Sequence, residues 1–209
     1  MKSALALAAA LFGTLAAAPA FAQEGATPVA AAAVEAAAAT PSKAFCFQIE
    51  MLPVGTLDLG REDGLSVDTA KAFAIGLTMD YDVLPYLSVG AAPRLVMGLR
   101  GEDGFKEAKQ LDVRARATAH VHLLPALQAY ASLAPGYSVM LIPDDARLEN
   151  PRGFVLALAG GFSLDLSADS FLTAELGYQL GFQTARFDGA KVDLSSNLLH
   201  IGLGGGLRF

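Results

Sequence analysis

Eleven ionisable side chains share one face of the alternating runs in this chain, and they are the residues that could do chemistry. They are the acids Glu50, Asp80, Asp112 and Glu175, the bases Arg94, Arg114, Arg116 and Arg208, and the imidazoles His120, His122 and His200. Two histidines at i and i+2 can ligate a metal, but a third ligand would have to come from the opposite wall. No cysteine or carboxylate cluster stands at that level, so neither a metal nor another cofactor is expected. Hydrolytic chemistry would want a histidine beside a serine nucleophile at an outer lip, whereas the longer links contain no histidine. No phosphate loop, triad spacing or zinc motif occurs elsewhere, so no catalytic residues are assigned and the chain is not expected to be an enzyme. What remains is the near balance of four acids and four bases. Charges enclosed in a narrow space must be paired or hydrated, which predicts a hydrogen-bonded plug, with a charge-lined channel for small solutes or ions as the alternative. Arg208 is the expected partner of Glu175, with Arg116 across the bore as the other candidate.

These residues are held by short runs of period-2 alternation, the signature of strands with one greasy face. Eight runs can be counted from Lys43 onward. The first places Phe45, Phe47, Ile49 and Met51 together, the second Phe73, Ile75, Leu77, Met79 and Tyr81, and the fourth runs from Leu111 to Leu123. The last shows Leu199, Ile201, Leu203, Gly205, Leu207 and Phe209 on one face and His200, three glycines and Arg208 on the other. Short links at residues 82–85, 124–126 and 167–170 alternate with longer charged links at 58–69, 100–109, 144–152 and 186–193, as in a meander of hairpins. Pro93 and Pro135 fall inside runs, and each predicts a bulge or an early strand end because proline removes a ladder donor.

The N-terminal segment has a different composition. Residues 1–22 combine Lys2, an Ala/Leu-rich stretch and Ala20-Phe21-Ala22 before Gln23, which reads as a cleaved secretory signal peptide. Residues 23–42 form an Ala-rich, low-complexity tether with no amphipathic stripe to bury. The 209 residues carry a net charge of −6, which argues against nucleic acid as a partner. With a single cysteine, Cys46, no internal disulfide can form.

Sidedness separates a membrane barrel from a soluble one. The face opposite the greasy one, which on a wetted surface would be full of lysine, glutamate and serine, carries Ala72, Ala74, Gly76, Gly90, Gly177, Gly181, Gly202, Gly204 and Gly206 with a few charges among them. Small residues suit the crowded interior of an eight-stranded barrel, so the greasy face is expected to meet lipid. Phe73, Tyr137, Phe154 and Phe182 would then mark one interface and Tyr81 and Phe209 the other.

With its alternating final strand and terminal aromatic (Ile201, Leu203, Leu207, Phe209), the segment 43–209 resembles the OmpA-type or porin-family eight-stranded outer-membrane barrels. The fold class expected is therefore all-β, an eight-stranded antiparallel transmembrane up-and-down β-barrel preceded by the signal peptide and the tether. The resemblance implies a place in the bacterial outer membrane and a structural, envelope-integrity or surface-interaction role. It also implies contact with outer-membrane lipid and lipopolysaccharide, recognition of the C-terminal strand by barrel-assembly machinery, and a monomer. A lipid-modifying enzyme of the outer leaflet is the less favoured reading.

Overall fold

The computed structural model describes residues 42–59, 66–69, 71–99, 107–142, 149–187 and 190–209; the expected signal peptide and nearly all of the tether lie outside the described residues. The strands are β1 (Lys43–Leu59), β2 (Ser66–Thr69), β3 (Ala72–Leu84), β4 (Leu87–Leu99), β5 (Ala108–Leu124), β6 (Leu127–Leu141), β7 (Arg152–Asp165), β8 (Ser170–Phe187) and β9 (Ala190–Arg208). β1 pairs antiparallel with both β2 and β3, each strand from β3 onward pairs antiparallel with the next, and β9 returns to β1, so the sheet closes on itself. Because β2 and β3 lie along the same side of β1, one beyond the other, the wall is eight strands around. Lys43 and Phe209 exchange two backbone hydrogen bonds of 2.9 Å, which seals the seam where β1 begins and just past the end of β9.

The strands are staggered as a closed barrel requires. A row of paired residues leaves β1 at Gln48 and runs through Gly76, Arg94, Asp112, Ser138, Gly153, Gln183 and Leu194. It meets β1 again at Leu59, eleven positions further along. One of those positions comes from a bulge in β1 between Met51 and Val54. A second register shift, between Val96 and Leu99 of β4, contains Gly98 at φ 78°, a left-handed conformation that favours glycine. This shift turns Leu99 inward, where it is buried.

Burial follows the alternation and is inverted relative to a protein that folds in water. Leu203, Met51, Phe182 and Ile49 are 66, 64, 57 and 54% exposed, while Arg94, Asp112, Gln110 and Gln179 are at most 1% exposed. A continuous apolar outer wall around a polar interior is the arrangement a bilayer demands.

Two expectations from the sequence need correction. The register passes through both prolines unshifted and both strands continue; β3 and β4 lose only the pairs opposite Ala92 and Pro93, and β5 and β6 those opposite Ala134 and Pro135. Each proline keeps its place because its other neighbour still pairs with it, Val113 with Pro93 and Leu156 with Pro135. The links at 58–69 and 186–193 are also shorter than their charge suggested. Strand β2 occupies part of the first, and β8 runs to Phe187 with β9 starting at Ala190. Polar side chains there extend the alternation past the apolar belt, where hydropathy alone reads them as loop.

Candidate functional site: the charged bore

The inward charges gather into two clusters and a rim. In the first cluster, Arg94 on β4 reaches Glu50 on β1 at 2.7 Å and Asp112 on β5 at 3.8 Å, with all three side chains at most 3% exposed. Its Nη1 also donates to Gln179 Oε1 across the bore on β8 at 2.6 Å. Gln110 donates to Asp112 at 2.8 Å. Arg114 has no carboxylate within ion-pair distance among the described residues, and it donates to Ala92 O at 3.4 Å and Gln179 Oε1 at 3.5 Å.

Glu175 on β8 is the hub of the second cluster. Its Oε2 accepts from Arg116 at 2.9 Å and from the Tyr130 hydroxyl at 3.1 Å. Its Oε1 lies 3.4 Å from Gln48 Nε2 and 3.4 Å from His200 Nε2. The Arg116 guanidinium sits 5.7 Å from the Tyr130 ring centre. Glycine makes this crossing possible: a side chain at Gly177 would occupy the place of the His200 ring, and one at Gly202 that of the Gln48 amide. Four groups from β1, β5, β6 and β9 thus converge on one carboxylate, tying opposite walls together.

At the turn end, Arg208 pairs with Asp165 at 2.6 Å and lies 4.6 Å from the Phe171 ring centre. Glu175 is therefore held by Arg116, and the expected Arg208 pairing does not form, because stagger places Asp165 rather than Glu175 at the level of Arg208. Asp80 joins neither cluster and makes no ion pair among the described residues. Of the histidines, His120 lies at the turn end, 3.0 Å from Pro85 O and 3.4 Å from Ser88 Oγ, and His122 is exposed there. His200 stands apart from both, buried at 2% beside Glu175. Ile201, Leu203, Leu207 and Phe209, the expected assembly residues, all face outward and are at least 50% exposed.

Toward the end from which the longer links leave, the bore is closed by apolar side chains: Leu52, Ala72, Ala74, Val96, Leu99, Ala108, Met140 and Leu198 form one buried cluster, with Ile142 packed against it. Sequence reading placed only Ala72 and Ala74 of this layer on the inner face and missed its large side chains. Parity alone could have found Leu52, Met140 and Leu198, which fall on the polar face of their strands, but not Leu99, whose direction depends on the bulge. Tyr130 and Gln179 were missed too, although both sit on that face. Between the two charged clusters a cavity of about 20 Å³ remains, bordered by Glu50, Arg114, Arg116, Glu175 and His200. That is room for about one water molecule.

No protein-family profile matches the chain, and no curated protein is recognisably similar to it in sequence. Solved structures are similar in fold. OprG, an outer membrane protein from Pseudomonas aeruginosa, is 13% identical with a TM-score of 0.59, over 81% of this chain and 96% of that one. AlkL, an outer membrane protein whose structure was determined in DMPC bilayers, is 16% identical with a TM-score of 0.54, over 81% and 90%. The Neisserial surface protein A is 14% identical with a TM-score of 0.53, over 77% and 97%. The chain has the fold of the eight-stranded outer-membrane β-barrels.

Proposed function

We propose that this chain is a small integral barrel of a bacterial outer membrane that serves the envelope as a closed structural or surface-interaction element, and neither conducts solutes nor catalyses a reaction. The observation that carries this reading is the filled bore. Two cross-braced charged clusters and an apolar layer cross the bore, and the cavity between the clusters is about 20 Å³. On this reading residues 1–22 are removed before Gln23, the greasy wall contacts lipid and lipopolysaccharide, and assembly machinery engages the strand ending at Phe209. The barrel acts as a monomer.

The test is conductance of the purified barrel in a planar bilayer. The expected record shows no steps above the bare membrane, and reproducible small steps would put the narrow-channel reading in its place. Gel mobility should also differ between boiled and unboiled samples, because a closed sheet with every strand paired resists SDS until heated.

A further inference from the structure

The bore is unevenly lined at the level between the two charged clusters. There β1, β5, β8 and β9 send in Glu50, Arg114, Arg116, Glu175 and His200, whereas β3, β4, β6 and β7 bring Gly76, Ala92, Ala134 and Ala157. Long side chains from four walls meet over short ones from the other four, and the space of about 20 Å³ is what the small residues leave unfilled. The polar groups around it do not fully serve one another. Glu50 gives Oε2 to Arg94 at 2.7 Å, while its Oε1 stands over Gly76, 3.4 Å from where a Cβ would be. A guanidinium has five N–H donors, and Arg114 makes only two long contacts with them among the described residues, at 3.4 and 3.5 Å. Arg116 Nε and His200 Nδ1 have no hydrogen-bond partner among the described residues, although their side chains are 9 and 2% exposed. Ser132, also buried, adds a hydroxyl. Buried donors and acceptors placed like this cost free energy until something polar reaches them.

We infer that this cavity is a binding site for one water molecule, which accepts from the Arg114 guanidinium and donates to Glu50 Oε1, with Ser132, Arg116 and His200 at its border. The volume suits one water, and the border supplies the roughly two to four polar partners that a buried water needs. Charge selects water over an ion. Arg114 and Arg116 balance Glu50 and Glu175 around the cavity, so a halide or a metal cation would enter a dry site with no counter-charge, whereas water adds no charge. Through the water Arg114 gains the carboxylate it does not reach directly, and the two clusters become one network joining β1 and β5 to β8 and β9. The inference rests on the closed bore proposed above and gives that closure its central ligand.

Oxygen-17 relaxation dispersion of the full barrel in detergent micelles tests it, with Gly76→Ala as the variant. That substitution puts a methyl into the cavity with nothing nearer than 3.4 Å, so the strand register can stay as it is. Wild type should show one more long-lived water than the variant. Gly76→Ala should also unfold at a lower denaturant concentration, because the methyl displaces the water and strands Arg114 and Glu50 Oε1, even though alanine ordinarily stabilises a strand relative to glycine. An equal water count, or a raised midpoint as for a filled apolar void, would overturn the site. The fall in midpoint should be the same in chloride and in sulfate at equal ionic strength, and a fall seen in chloride alone would overturn water in favour of an anion. Heat-modifiability shows that the variant is folded. Conductance steps in wild type would break the closed bore, whereas a silent barrel without the extra long-lived water would break this inference alone.

Discussion

Midway along the bore the side chains that meet are Arg94, Glu50, Asp112 and Glu175; toward the link end they are Leu52, Val96, Leu99, Met140 and Leu198. Both layers close the barrel, by different physics. The apolar layer gains from each methylene it buries and tolerates adjustment, since flexible neighbours such as Met140 can move into a gap. The charged layer has little net gain from its pairs, because desolvation offsets attraction, yet it loses heavily when one partner is removed. The middle of the barrel therefore fixes which strand faces which across the bore, and the layer above it supplies burial.

The difference can be broken most sharply at Arg94, whose side chain is fully buried and serves Glu50, Asp112 and Gln179 at once. Arg94→Ala is expected to lower stability by about 3–5 kcal/mol in denaturant unfolding of the detergent-solubilised barrel. Removing the stranded acids as well, with Glu50→Gln and Asp112→Asn, should recover much of that loss. In the apolar layer, Leu198→Ala should cost about 2–3 kcal/mol with no partner to remove in compensation. If the Arg94 variant is as stable as wild type, the charged layer is wet and the contrast between the layers disappears.

How much of this was legible in the sequence follows the same division. Strand count, sidedness and the inward charges could be read because alternation fixes direction and a charged residue on the inner face has few other places to be. Which charge meets which could not be read. Pairing across a bore depends on stagger, and a row that returns eleven positions along β1 moves every candidate partner. Leu99 escaped for a related reason, since its inward direction is set by the shift around Gly98. Arg152, Arg186, Lys191 and Asp193 were placed in links because their polarity outweighed an alternation that the strands maintain.

The smallest effect is expected at the rim, and it tests the pairing the sequence left open. Arg208 and Asp165 are in ion-pair contact at 2.6 Å, but their side chains are 24 and 25% exposed, so water and salt screen them. Arg208→Gln should lower stability by about 1 kcal/mol or less, with the loss shrinking as salt is added. A double-mutant cycle sharpens this into a test of geometry. Glu175→Gln combined with Arg208→Gln should be additive, because the two side chains have separate partners. Glu175→Gln combined with Arg116→Gln should be strongly coupled, because Arg116 holds the same carboxylate that Tyr130, Gln48 and His200 surround. Coupling of Glu175 to Arg208 in place of Arg116 would mean that the strands are staggered differently from the register described, and the two-layer closure would have to be redrawn around that pair.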